Sequence, residues 1–333
     1  MEVSLPSRSI GNSALRCSAI GLGTGKLRSA STGLSKTEAV GLIHHAAAQG
    51  VNFIDTADSY GQGESEMAVG RAIRGQREKF VIATKAGFRF SAAGPLIRIV
   101  KPLLRGLVRR FAGAERAISR ARSGSRQMGV LRQNFAPAVI VSAVEASLRR
   151  LGTDYLDVFF LHEATLDAVQ DGDLWNVLLQ LRAAGKLRHL GISSNEPAVL
   201  DASLALPDLG AIETAVNPAR PADLWPLLEK FSARGIGVIA NQIYRGGRLL
   251  AEHTEEKSVA RRVQIAVQDH GLTPRQILLA FALGAPGVAS ALVGTTKPVH
   301  LDENLADLRV LAERPAPDWA TLRKSLQTVN SIA

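Results

Sequence analysis

The stretch DTADSYGQGESE, residues 55–66, decides how this chain is read. It directly follows the apolar run Val51–Ile54 and sets a carboxylate, Asp55, five residues ahead of a phenol, Tyr60. An apolar run ending in two ionisable groups reads as a strand whose C-terminal end delivers them into a site. A buried aspartate needs a cation, and a phenol with its ordinary pKa near ~10 is a poor acid at neutral pH unless positive charge stabilises its phenolate. A lysine meets both needs. Lys85 closes the next strand-like run, FVIATK, and His162 closes the one after it, DVFFLH.

Outward from this core, strand-like runs recur near 20–23, 52–55, 81–85, 157–162, 189–193, 211–216, 236–241 and 290–294, with helical periodicity between most of them. Eight strands alternating with helices predict a (β/α)8 TIM barrel, and 333 residues with 46% hydrophobic side chains suit a single barrel domain over 1–333. A doubly wound sheet shares the alternation. Polar or ionisable residues at so many strand ends (Asp55, Lys85, His162, Ser193, Asn217) instead favour a barrel whose site gathers the C-terminal ends of several strands. Ahead of the first barrel strand, two short runs joined by Gly11-Asn12 predict a β-hairpin. Gly50, Gly152, Gly185, Gly235 and Gly271 stand where helices should end. Pro137 opens a helix whose apolar stripe is Val141, Val144, Leu148 and Leu151.

Singly, Asp55 could cap a helix, Lys85 could be a surface charge and His162 a core histidine. Together, in this order and with GESE after the tyrosine, Asp55, Tyr60, Lys85 and His162 resemble the catalytic tetrad of the aldo-keto reductases. The run SLRRLGTDYLDVFFLH, residues 147–162, resembles the same family; within it Asp157 reads as a cap or brace. The resemblance implies hydride transfer from C4 of a nicotinamide to the carbon of an aldehyde or ketone. Tyr60 would protonate the oxygen, Lys85, held by Asp55, would lower the phenol's pKa, and His162 would orient the carbonyl. No metal is required.

The same resemblance implies a cofactor site. Gly23, which ends the first barrel strand, and Thr24, in the loop after it, stand where backbone can approach a ligand closely, and Asp55 is a further cofactor candidate. In HLGISSNE, Ser193 and Ser194 fall on the family's Ser-Asn pair for the carboxamide, with Asn195 one position late. Glu213 replaces the usual glutamine and can accept but not donate. Asn241 stands where many members stack an aromatic ring, with Tyr244 three residues on. In ALVGTTKPVHLDENLADL, Gly294, Thr295, Thr296, Lys297 and His300 open a helix with backbone donors and positive charge for a phosphate, while Glu303 and Asn304 hold the adenine. Lys297 and His300 favour NADPH, with NADH as the alternative. Two other functions share these residues: an NAD-dependent alcohol or sugar dehydrogenase, and a nucleotide-binding regulatory protein with little turnover.

The net charge of +10 is local. Between Arg98 and Arg132 ten Lys or Arg face one acid, Glu115, so this stretch carries +9 of it and the fold as a whole gives no reason to expect nucleic acid. The N-terminus lacks the apolar core of a signal peptide and no window approaches the roughly 20 apolar residues of a membrane span, so a cytoplasmic protein is expected. Cys17, the single cysteine, excludes an internal disulfide and a cysteine-based metal cluster. The basic insertion, residues 88–134, sets Leu96, Val100, Leu103, Leu107, Val108 and Phe111 at helical spacing among its arginines. It reads as an active-site lid, as a membrane-surface or partner-binding segment, or as disordered surface. The expected ligand is a small-molecule carbonyl compound, and the expected state is a monomer or small homo-oligomer.

Overall fold

The computed structural model describes residues 5–27, 34–90, 131–220, 223–250, 257–314 and 319–327. Its strands are β1 (Ser7–Ser9), β2 (Arg16–Ser18), β3 (Ile20–Gly23), β4 (Phe53–Asp55), β5 (Val81–Ala86), β6 (Phe88–Phe90), β7 (Leu131–Gln133), β8 (Leu156–His162), β9 (Leu187–Ser193), β10 (Leu209–Ala215), β11 (Gly237–Asn241) and β12 (Val288–Val293). Eight of them close a parallel barrel in chain order, β3-β4-β5-β8-β9-β10-β11-β12, and β12 returns to β3 through Ala291↔Ile20 and Val293↔Leu22. All eight predicted runs are these strands. The predicted hairpin is β1 paired with β2, Arg8 opposite Cys17.

Inside the barrel, Phe53, Val81, Val158, Phe160 and Ile239 form a plug that takes in Ile10 and Cys17 from the hairpin, which therefore stoppers the N-terminal end. Space for the two phenylalanines comes from glycines: a Cβ on Gly21 would lie 2.5 Å from the Phe53 ring, and one on Gly191 2.4 Å from the Phe160 ring. Outside the sheet, helices bury a continuous aliphatic layer, where each fully buried Leu or Val stabilises by about 1.5–3 kcal/mol. Helix Lys36–Ala48 starts with a capping box between Ser35 and Glu38, a reciprocal bond that satisfies two otherwise unpaired backbone donors. Helix Pro137–Leu151 buries Ile140, Val144, Leu148 and Leu151 and ends at Gly152 with φ +65°. Ile140 leads the stripe in place of the predicted Val141, which is half-buried beside it.

Residues 91–130 of the basic insertion, with the lid, surface and disorder alternatives attached to them, lie outside the described residues. The stem of that insertion is described: β6 and β7 pair antiparallel, Phe88 opposite Gln133. Gln133 Nε2 donates to the Glu163 carbonyl at 2.7 Å, which ties the stem to the end of β8 at the barrel mouth. No described helix is long and apolar enough to cross a membrane.

Candidate active site

β4, β5 and β8 are neighbours in the barrel, so their C-terminal ends bring Asp55, Lys85 and His162 to one mouth. The loop carrying Tyr60 is held there by backbone bonds to β5, Thr56 N to Ala83 O at 2.9 Å and Asp58 N to Lys85 O at 3.0 Å. The GESE motif braces it. Helix Glu64–Ala72 starts there, and buried Glu66 accepts from Thr84 Oγ1 at 2.7 Å and from Arg150 Nε at 2.6 Å. Asp157 braces as anticipated, taking Arg77 and the Ile82 amide on one oxygen and Arg188 on the other.

Lys85 is fully buried, and its ammonium donates to Asp55 Oδ1 and, at 3.2 Å, to the Thr56 carbonyl. Its Nζ also lies 3.1 Å from Glu213 Oε2 and 5.4 Å from the centre of the Tyr60 ring. Tyr60 meets His162 edge to face with ring centres 5.7 Å apart, and Phe88 meets the same imidazole at 5.0 Å. His162 Nδ1 lies 3.4 Å from Ser59 Oγ. The imidazole thus stands between two aromatic rings with its tilt set by packing.

Burial moves the Tyr60 phenol above its ordinary pKa; Lys85 pulls it down, but Asp55, Glu213 and Glu163 add to the rise. The lowering expected from Lys85 is present and outweighed, because a phenolate must form in a dry site facing three carboxylates. Burial and the charge of Glu213 push the Asp55 carboxyl well above the carboxylate range, with Lys85 opposing. Burial disfavours the charged Lys85, yet Asp55, Glu213 and Tyr60 together hold it protonated.

A single cleft of about 740 Å³ runs from this cluster to the start of helix Pro298–Glu313. Of the residues singled out in the sequence, Gly23, Asp55, Tyr60, His162, Ser193, Glu213, Asn241, Gly294, Thr295, His300, Glu303 and Asn304 line it. Lys85 lies beneath its wall. Thr24 is buried behind it, its amide on the Asp55 carbonyl at 2.8 Å. Ser194 turns away: its hydroxyl accepts from the Glu196 amide at 3.2 Å, and Asn195 lines the cleft beside Ser193. Asn195 Oδ1 in turn accepts from the Ala215 amide at 2.8 Å. Lys297 is exposed at the helix start, its amide on Thr295 Oγ1 at 3.1 Å, and Thr296 is half-buried between them. Arg275 is among the lining residues that the sequence reading did not single out. Arg275 bonds Asp307 through Nε and Glu303 through Nη1. Its signal was a cation in the first turn of helix Pro274–Leu283, where the helix dipole disfavours it. Tyr244, noted only as a neighbour of Asn241, puts its ring in the wall and its hydroxyl in a buried position.

Asn241 Oδ1, Tyr244 Oη and Asn304 Oδ1 are buried in the residues of this wall with no hydrogen-bond partner among the described residues. Buried polar atoms left open along a cleft form a donor and acceptor set for a polar ligand. At one point the floor is bare backbone, since a Cβ on Gly294 would sit 3.7 Å from the Gly23 carbonyl. A cleft with reactive groups at one end and a helix N-terminus at the other fits a dinucleotide.

Residues 19–325 match the Aldo/keto reductase family. The uncharacterized oxidoreductase YqkF of Bacillus subtilis is 28% identical over 325 residues, covering 92% of each chain. L-galactose dehydrogenase of Arabidopsis thaliana is 24% identical over 320 residues, covering 90% of this chain and 86% of its own. Among solved structures, the holo form of an aldo-keto reductase from Bacillus halodurans shares the fold with a TM-score of 0.73 at 23% identity, over 97% of this chain and 95% of that one. With the tetrad assembled at the mouth of a closed barrel and the family pattern spanning nearly the whole sequence, this chain belongs to the aldo/keto reductase family of oxidoreductases.

Proposed function

We propose that this oxidoreductase is an NADPH-dependent carbonyl reductase that converts a small aldehyde or ketone to its alcohol. The observation that carries the reading is the convergence of Tyr60, His162 and the Asp55–Lys85 pair at one end of a cleft whose other end is the start of helix Pro298–Glu313. Bound NADPH supplies a hydride to the carbonyl carbon. Tyr60 gives its proton to the oxygen as charge develops there. An alkoxide is a stronger base than a phenolate, so the transfer runs downhill even from a phenol whose pKa is raised. Lys85 stabilises the phenolate left behind, and Asp55 holds the ammonium in place. His162, fixed between Tyr60 and Phe88, orients and polarises the carbonyl.

For the cofactor, Ser193, Asn195, Glu213 and Asn241 would hold the nicotinamide end, and Glu303 and Asn304 the adenine. Lys297 and His300 favour a 2′-phosphate, and Arg275, paired with Asp307 and Glu303, lines that end of the cleft. NADH use remains the alternative, because a neutral His300 contributes no charge. A second reading, oxidation of an alcohol or sugar with NAD, is supported by the relative named L-galactose dehydrogenase. Fluorescence titration of the purified protein with NADPH and NADH, then turnover of an aromatic aldehyde with the better binder, tests the proposal. Tight NADPH binding with reduction supports it. Failure to bind either nucleotide overturns it.

A further inference from the structure

Around Lys85 the charges do not balance. One buried ammonium faces two buried carboxylates, Asp55 in a hydrogen bond and Glu213 with Oε2 3.1 Å away. Glu213 Oε1 is occupied by the Asn241 amide at 2.9 Å, whereas Oε2 is buried with no hydrogen-bond partner among the described residues. If both acids were ionised, the trio would carry a net negative charge out of water, which is strongly unfavourable. Asp55 answers this by keeping its proton, since burial and then the charge of Glu213 push its carboxyl well above the carboxylate range, with Lys85 opposing.

We infer that Glu213 is a positioning residue for the proton chemistry of Tyr60: its carboxylate beside Lys85 adds a negative charge that opposes formation of the Tyr60 phenolate. The inference rests on the carbonyl-reductase reading for its catalytic meaning. In reduction the carbonyl carbon gains a hydride and the oxygen gains the proton of Tyr60. In the reverse reaction, with the oxidised nicotinamide as hydride acceptor, the alcohol loses its hydride from carbon and its O–H proton to the Tyr60 phenolate. Reduction needs the phenol, which this site protects. Oxidation needs the phenolate, which the site withholds until the pH is distinctly alkaline. The groups facing Tyr60 are Lys85 from β5, Asp55 from β4, Glu213 from β10, and His162 with Glu163 from the end of β8. Lys85 alone among them is a fixed cation. A glutamine at 213 keeps the side chain's length and its acceptor for Asn241 but removes the charge.

The test uses the protein without nucleotide. The phenolate absorbance of Tyr60, taken as the difference between the protein and its Tyr60→Phe variant, is followed against pH with Glu213 and with Glu213→Gln. The midpoint is expected to fall by about one pH unit or more on Glu213→Gln, as loss of a neighbouring like charge requires. Equal midpoints, or no titration in either protein up to the onset of unfolding, overturn the inference. If Glu213→Gln does not fold, Glu213→Ser removes the same charge and serves in its place. With nucleotide and an alcohol, the alkaline limb of oxidation should move down in pH in step with the phenol. An altered KM for nucleotide with an unmoved limb marks a merely structural glutamate and also overturns the inference. A shifted phenol in a protein that turns over no carbonyl compound fails the reductase reading and leaves the proton inference standing.

Discussion

The amide of Asn241 donates to Glu213 Oε1 at 2.9 Å, and this bond joins two positions at which the chain departs from the family pattern, the usual glutamine and the usual stacking ring. The two departures are therefore one structural unit. A hydrogen bond to a charged group contributes about 1.5–3 kcal/mol. Asn241→Ala should lower stability by that order in a urea titration, and the loss should shrink when Glu213 is already glutamine. Additive losses in this double-mutant cycle would show the pair to be uncoupled.

Tyr60→Phe deletes the proton donor and little else, since the ring keeps its edge contact with His162. Loss of a general acid lowers turnover by about a hundred- to ten-thousand-fold. The nucleotide dissociation constant should stay within a few-fold of the parent's. A variant that no longer binds nucleotide would remove Tyr60 from the proposed role.

Lys297 stands exposed at the start of helix Pro298–Glu313, where a 2′-phosphate would meet it. Lys297→Ala should raise the dissociation constant for NADPH more than that for NADH. Equal losses for the two nucleotides would end the preference for the phosphorylated form.

Asp58 makes a pH prediction. Burial, then the charge of Glu66, pushes its carboxyl up to about 7, with Arg150 opposing, and its Oδ1 is buried without a hydrogen-bond partner among the described residues. A carboxyl whose folded pKa exceeds its unfolded value of about 3.9 binds its proton more tightly when folded. Its favourable contribution is complete below about pH 4 and is lost as the pH rises through about 7. Asp58→Asn should therefore melt above the parent at about pH 8, with the gap closing toward about pH 4. A gap independent of pH would assign Asp58 an ordinary carboxylate.

Gly191 is a packing position. A Cβ there would sit 2.4 Å from the Phe160 ring and 3.0 Å from the Ala211 carbonyl, inside the barrel where neither neighbour can retreat. Gly191→Ala should cost about 1–3 kcal/mol, the usual penalty for overpacking. Gly191→Ala with Phe160→Leu should recover part of it, as urea midpoints would report.

The barrel was legible because the parallel strands are buried on both faces over nearly all their residues, with Arg188 of β9 exposed, and so read as short apolar runs, and because ionisable residues end β4 and β8 and stand next to last in β5. The tetrad was legible for the same reason. The contact of Glu213 with Lys85 was not: it spans the barrel between β10 and β5, which share no hydrogen bonds, and no local pattern reports a distance across the interior. Ser194 and Asn195 could not be told apart in sequence, since either can follow Ser193, and only the turn onto the Glu196 amide decides which one faces the cleft. The sign of the Tyr60 shift also escaped, because burial outweighs the charge that the sequence makes visible.

The stem formed by Phe88 opposite Gln133 is a ladder of its own, outside the closed order of the barrel. One leg of that stem touches His162 and the other holds the Glu163 carbonyl. A substitution in the stem can therefore reach the imidazole while every barrel strand keeps its pairing. Inheritance divides in two here, with the tetrad carried by strands of the closed barrel and by the loop after β4, and an aromatic neighbour of its imidazole, Phe88, carried by a separate ladder.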